Sequence, residues 1–208
     1  MKNLATKNAL TLLTTLVIAA FTSFSHAQGS AAAGESKVAV CGACHGIAGQ
    51  STIGANPKLA GQNARYLIKQ MSDIKSGARN VALMTGLLSG SSDQDIADIA
   101  AYYAAQETTL EGADPEMIEL GESIYKAGIA SLNVAACSAC HSPTGQGNPQ
   151  AGFPALGGQH SEYTATQLKA FRSGERANDG NAMPMRIMSE RLTDKEIDAL
   201  ASYISGLN

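Results

Sequence analysis

The sequence predicts an all-α protein made of two similar helical domains in tandem. Three observations predict it. One stretch of the chain is written twice, each copy ends in a capped amphipathic helix, and no segment alternates apolar and polar residues as a half-buried strand would. The 208 residues suffice for two small domains, and 44% hydrophobic residues can supply their cores. Aromatic residues make up only 5% and Trp is absent, so the large rings that fill most small cores are scarce and something else must take their place. A formal net charge of −3 disfavours a nucleic-acid partner, which a basic surface would recognise.

The first segment, Met1–Ala27, has the form of a secretory signal. Lys2 and Lys7 make a basic start, Ala9 to Phe21 is a run of apolar and small residues, and Ser25-His26-Ala27 is a small-x-small cleavage site. The run is shorter than the roughly 20 apolar residues that span a bilayer. Cleavage near Ala27 leaves a mature chain that starts near Gln28 outside the cytoplasm; an uncleaved anchor is the alternative. No Cys precedes Cys41, so the cleavage site has no thiol for a lipid. The remaining chain carries 13 basic and 18 acidic residues, and its charge is uneven: residues 28–110 balance six against six, whereas residues 111–208 have seven basic and twelve acidic. Either the domains meet different partners or these are ordinary solvated faces.

The repeat fixes the domain organisation. Cys41-Gly42-Ala43-Cys44-His45 returns as Cys137-Ser138-Ala139-Cys140-His141, 96 residues later. Pro57-Lys58-Leu59-Ala60-Gly61-Gln62 returns at an offset of 97 as Pro154-Ala155-Leu156-Gly157-Gly158-Gln159. Tyr66, Gln70 and Ser76-Gly77 return at that same offset as Tyr163, Gln167 and Ser173-Gly174. Gly34-Glu35-Ser36 resembles Gly121-Glu122-Ser123, and the second copy has nine extra residues before its first Cys. Two copies of this length are two domains, not a solenoid. The expected division is 28–110 and 111–208, within the polar stretch from Glu107 to Pro115.

Each copy reads as helices. Ser92 caps the last helix of the first copy with Asp95 three residues on, and Ile96, Ile99, Ala100 and Tyr103 follow on one stripe. Thr193 with Glu196 does the same before Ile197, Leu200, Ala201 and Ile204. Middle helices run from about Asn63 to Lys75 and from Ser161 to Arg172, stopped by Gly77 and Gly174. Asp114-Pro115 reads as a cap followed by Pro at the first helical position. The Gly- and Pro-rich loops 46–61 and 142–158 are long for such small domains and need something to wrap around.

The chemistry lies in the two Cys-x-x-Cys-His motifs, the attachment signature of c-type haem. Cys41 with Cys44, and Cys137 with Cys140, can add across the two vinyl groups of one porphyrin edge, and His45 or His141 then presents a nitrogen to the iron. A zinc site needs a second pair of ligands per domain, and none exists. A thioredoxin-like site needs a βαβ context and has no use for the His. Four Cys confined to two such motifs are also too few for a disulfide scaffold. Two haems would supply the missing core.

The sixth iron ligand decides function, and in electron-transfer haems it is commonly Met, which raises the potential. Met71 lies in the middle helix opposite Leu168 and reads as core. Met84 follows in the loop before the last helix. In the second copy Met183, Met185 and Met188 crowd together, and the offset of 101 that relates Ser92 to Thr193 relates Met84 to Met185. Spacing therefore selects Met185, with Met183, which precedes Pro184, as the alternative. The carbonyls of Pro57 and Pro154 either accept the His N–H and fix its tautomer or simply turn the chain. His160, which replaces Asn63 of the first copy, reads as a surface or capping residue.

These motifs, the PKLAGQ and PALGGQ segments, and the stretches MTGLLSGSSDQDIADIAAYYAAQ, AGFPALGGQH and NDGNAMPMR together resemble the dihaem cytochrome c4 family over nearly the whole mature chain. The resemblance implies two tandem class I cytochrome c domains, each wrapped around one covalently attached haem, with the haems exchanging electrons near the domain interface. It implies axial pairs His45 with Met84 and His141 with Met185. It implies a one-electron carrier of the bacterial periplasm with transient redox partners in a respiratory complex or terminal oxidase, no nucleic acid and no membrane span in the mature chain. A dihaem subunit of a larger dehydrogenase is the alternative. Less favoured is a haem enzyme, which needs an open or labile axial position.

Overall fold

The computed structural model describes residues 29–84 and 86–208, and the proposed signal Met1–Ala27 lies outside the described residues. The first domain holds α1 (Ala31–Glu35), α2 (Ala39–His45), α3 (Ala64–Ser76) and α4 (Asp93–Ala104). The second holds α5 (Ile118–Ala127), α6 (Ser138–His141), α7 (Ser161–Ser173), α8 (Pro184–Ser189) and α9 (Asp194–Ser205). No strand occurs among the described residues, only the isolated bridges Ile129–Val134 and Asn148–Phe153. The first of these closes the extra residues before Cys137 into a small turn.

Local chemistry sets the helix ends where the sequence places them. Asp95 N donates to Ser92 Oγ at 3.1 Å while Ser92 N donates to the Asp95 carboxylate at 2.8 Å. Thr193 and Glu196 repeat this exchange at 3.3 and 2.7 Å. Each box satisfies two amides that the first turn of a helix leaves orphaned. Gly77 and Gly174 end α3 and α7 at φ 81° and 79°, a left-handed conformation that costs glycine nothing. One boundary differs from expectation. Asp114 caps a turn and not the helix: its carboxylate accepts from Glu116 N at 3.0 Å, and Ser202 Oγ holds its own amide at 2.8 Å. That anchorage to α9 delays α5 until Ile118.

The predicted stripes are the cores. Ile96, Ile99, Ala100 and Tyr103 are buried with Leu67, Met71 and Leu88 in the first domain. Ile197, Leu200 and Ile204 are buried with Ile124, Tyr125, Val134 and Leu168 in the second. Fully burying one such aliphatic side chain contributes about 1.5–3 kcal/mol. The recurring Gly-Glu-Ser marks where α1 crosses α4 and α5 crosses α9. A Cβ on Gly34 would lie 2.1 Å from Asp98 O, and one on Gly121 would lie 2.3 Å from Ala199 O. Only glycine allows these backbones to meet.

The second set of recurring residues builds the contact between the domains. Gln62 accepts from Ala155 N at 2.8 Å and donates to Ala155 O at 2.9 Å. Gln159 accepts from Lys58 N at 2.9 Å and donates to Lys58 O at 3.0 Å. The two exchanges are related by the sequence offset of 97, so the interface has approximate twofold symmetry. Arg79 donates to Tyr163 and Gln167, both at 3.0 Å, and Arg176 donates to Tyr66 at 3.1 Å and Gln70 at 3.0 Å. These arginines also share that offset, so the repeat itself carries a signal for them.

Candidate functional site

Each Cys-x-x-Cys-His motif ends in a helical turn, α2 in the first domain and Cys137 with α6 in the second. The helix brings the first Cys and the His, four residues apart, to one face. Cys41 and Cys137 are half-buried and pack on the cores of their domains, while Cys44 and Cys140 are exposed; no disulfide links them. Burial raises the Cys41 thiol and pushes that of Cys137 up to about 11.

Both histidines are buried, and both prolines contribute more than a turn. His45 Nδ1 lies 2.9 Å from Pro57 O, and His141 Nδ1 lies 3.1 Å from Pro154 O. A carbonyl only accepts, so Nδ1 carries the proton and Nε2 is left with its lone pair. Burial lowers the proton affinity of both rings, partly opposed by the carbonyl. Neutral imidazole with a bare Nε2 is the state that binds iron.

The methionines separate by environment. Met84 closes the short helical turn Ala82–Met84 and packs on the first core. Met185 packs on the second core from α8, where a loop was expected; Pro184 at its first position starts that helix. Met183 is 41% exposed and sits at φ 49° as the residue before α8. The sulfur of Met188 accepts from Ala135 N at 3.3 Å. Met71 is buried in the first core, as its pairing with Leu168 requires. In each domain the first Cys, a loop Leu (Leu59 or Leu156) and a matched Met (Met84 or Met185) pack on the same core, and the first core holds Met71 as well. The donor set of two thiols, one bare imidazole nitrogen and one thioether per domain fits haem c. Among the described residues no three His, Cys, Asp or Glu side chains converge as a separate metal site.

Two tyrosines beside the motifs escaped the sequence reading. Tyr103 is buried in the core on which Cys41 packs, and Tyr125 donates to Ser142 O at 2.6 Å, just after His141. Phe153 lies with its ring centroid 6.1 Å from that of His141. Its counterpart Asn56 instead donates to Cys44 O at 3.0 Å. His160 is a correction. It is 5% exposed and bonds across the interface, so it is neither a surface residue nor a side-chain cap.

The Cytochrome c family model matches residues 31–105 and 118–208. The chain is 50% identical to cytochrome c4 of Azotobacter vinelandii, covering 97% of this chain and 99% of that relative. The chain belongs to the cytochrome c4 family. The crystal structure of reduced cytochrome c4 from Pseudomonas stutzeri superposes with a TM-score of 0.85 at 50% identity, over 86% of this chain and 100% of that one. A thiosulfate dehydrogenase electron acceptor of Stutzerimonas stutzeri strain A1501 is 33% identical over 80% of this chain and 78% of its own length. Membership makes the fold two tandem class I cytochrome c domains and the cofactor covalently bound haem c. The chain is an electron-transfer protein and not an enzyme. Among the described residues no helix is long and apolar enough to cross a membrane.

Proposed function

We propose that the chain is a dihaem carrier of the periplasm that passes single electrons between respiratory donors and an acceptor such as a terminal oxidase. The carrying observation is the doubled proximal arrangement, a buried neutral His with Nδ1 held by a proline carbonyl in each domain. Cys41 and Cys44 hold one haem in residues 28–110, and Cys137 and Cys140 hold the other in residues 111–208. A haem iron at each site supplies reversible one-electron chemistry. His45 and His141 would hold the iron through Nε2, and Met84 and Met185 would be its other protein ligands in the two domains. The packing of Met185 on the core, against the exposure of Met183, supports that choice. The cleaved signal Met1–Ala27 accounts for export.

The interface suits the carboxylates such a cofactor carries. Arg79 and Arg176 donate to neutral oxygens of Gln and Tyr, and among the described residues the phenol protons of Tyr66 and Tyr163 have no acceptor. A second reading, the electron-accepting subunit of a larger dehydrogenase, is favoured by more distant relatives of that kind.

Intact-mass analysis of the exported protein tests the reading, with two haem adducts expected and fewer overturning it. Spectroelectrochemical titration of Met84→Ala, Met185→Ala and Met183→Ala tests the ligands. The first two should each lose His/Met ligation in one domain, and the third should keep it in both. Retention of ligation in Met185→Ala would reassign the ligand.

A further inference from the structure

The segment joining the domains is held down at both sides. Gln50 of the first domain accepts from Thr109 N at 3.2 Å and Thr109 Oγ1 at 3.0 Å. Glu111 N donates to Ser205 O of the second at 3.0 Å. At the centre, each domain aims one buried basic side chain at the same linker carboxylate. Lys58 Nζ of the first lies 3.2 Å from Glu111 Oε1, and His160 Nδ1 of the second lies 2.5 Å from that oxygen. Lys58 Nζ also donates to Thr109 O at 2.8 Å and Gly158 O at 3.0 Å. Those three contacts use all the protons of the ammonium.

The hydrogen bonds of His160 decide its charge. Nε2 lies 2.9 Å from Ser51 O, a carbonyl of the first domain, and Nδ1 faces the Glu111 carboxylate. A neutral imidazole has one donor and one lone pair, so it cannot donate to both. A proton on Glu111 would satisfy Nδ1 but would leave the buried Lys58 without an anion, a costly arrangement. Glu162, the next carboxylate along α7, is turned towards Gly54 in the loop that carries Ser51. We infer that His160, Glu111 and Lys58 form a proton-gated clasp, in which a doubly protonated His160 bonds the linker and the first domain at once and fixes how the two domains face each other.

The engaged clasp holds one more proton than the released one, so raising the pH releases it. Loss of that proton turns a lone pair towards either Ser51 O or Glu111. Every group involved lies outside the motifs, so the clasp stands whatever the motifs bind. Its effect on function is to set the relation between the two redox sites.

The test uses the reduced holoprotein. At about pH 6, nitrogen NMR of the His160 ring should show both nitrogens protonated, as its two acceptors require. Between about pH 6 and pH 9, amide exchange in the Ser51 loop and residues 106–111, corrected for its intrinsic rate, should accelerate by up to about tenfold per pH unit once the ring releases its proton. His160→Asn should abolish that step. A His160 ring neutral at low pH, a flat profile, or the same step in His160→Asn would each overturn the clasp. The ring signal needs no variant, so it decides the matter even if His160→Asn does not fold.

Discussion

The two domains bury a tyrosine beside their first motif cysteine, but they take it from opposite ends of the fold. In the first domain it is Tyr103, from the last helix, packed edge-on against Tyr102 with centroids 5.2 Å apart. In the second it is Tyr125, from the first helix, tilted against Tyr203 at 5.6 Å. Tyr102 and Tyr203 are repeat partners, whereas Tyr103 aligns with Ile204. A buried phenol can therefore be kept while its helix changes, because α1 crosses α4 just as α5 crosses α9. Burial raises both hydroxyls well above the ordinary phenol range. What the fold preserves here is a place in space, not a place in the sequence.

The strongest way to break the equivalence is through the cores. Ile96→Ala and Ile197→Ala remove nearly fully buried side chains at matched positions and should each cost about 2–5 kcal/mol, read by calorimetry as loss of one domain's transition ahead of the other. A smaller effect sharpens the symmetry of the interface. Gln62→Ala and Gln159→Ala each strand a backbone N–H and C=O, and each should cost about 2 kcal/mol in denaturant unfolding. Unequal losses would show that one half of the interface dominates.

The mildest effect is confined to the first domain. Asp98 accepts from Ser30 N and Lys37 Nζ, and these contacts, Lys37 foremost, hold its carboxyl down at about 2. Ala199 stands at the matching place in the second domain. A depressed carboxyl contributes stability that is present above its unfolded value near 3.9 and is lost as pH falls towards 2. Acid titration should therefore loosen the attachment of α1 to α4 before that of α5 to α9. Asp98→Asn should remove the difference, as followed by amide exchange of those helices.

Much of this was legible because the signals are local. Ser92 with Asp95 and Thr193 with Glu196 act over three residues, and Gly77 and Gly174 stop their own helices. The proline carbonyls lie only 12 and 13 residues from the histidines they hold. The match of Met84 with Met185 comes from register alone, and each of the two packs against the core of its own domain. What stayed hidden is long-range. His160 could not be placed because its partners, Ser51 and Glu111, belong to the other domain and the linker. Tyr103 and Tyr125 share no register at all. The start of α5 moved because Ser202, far along the chain, holds the Asp114 amide.

Gln62 grips the strap that carries Ala155, Gln159 grips the strap that carries Lys58, and a single copy of the domain bears both grip and strap. Two separate chains of one such copy would pair head to head through this surface with no new residue. The tandem polypeptide thus has, within one chain, the arrangement of a symmetric dimer, and positions the handshake does not use can differ between its halves, as Asn63 and His160 do.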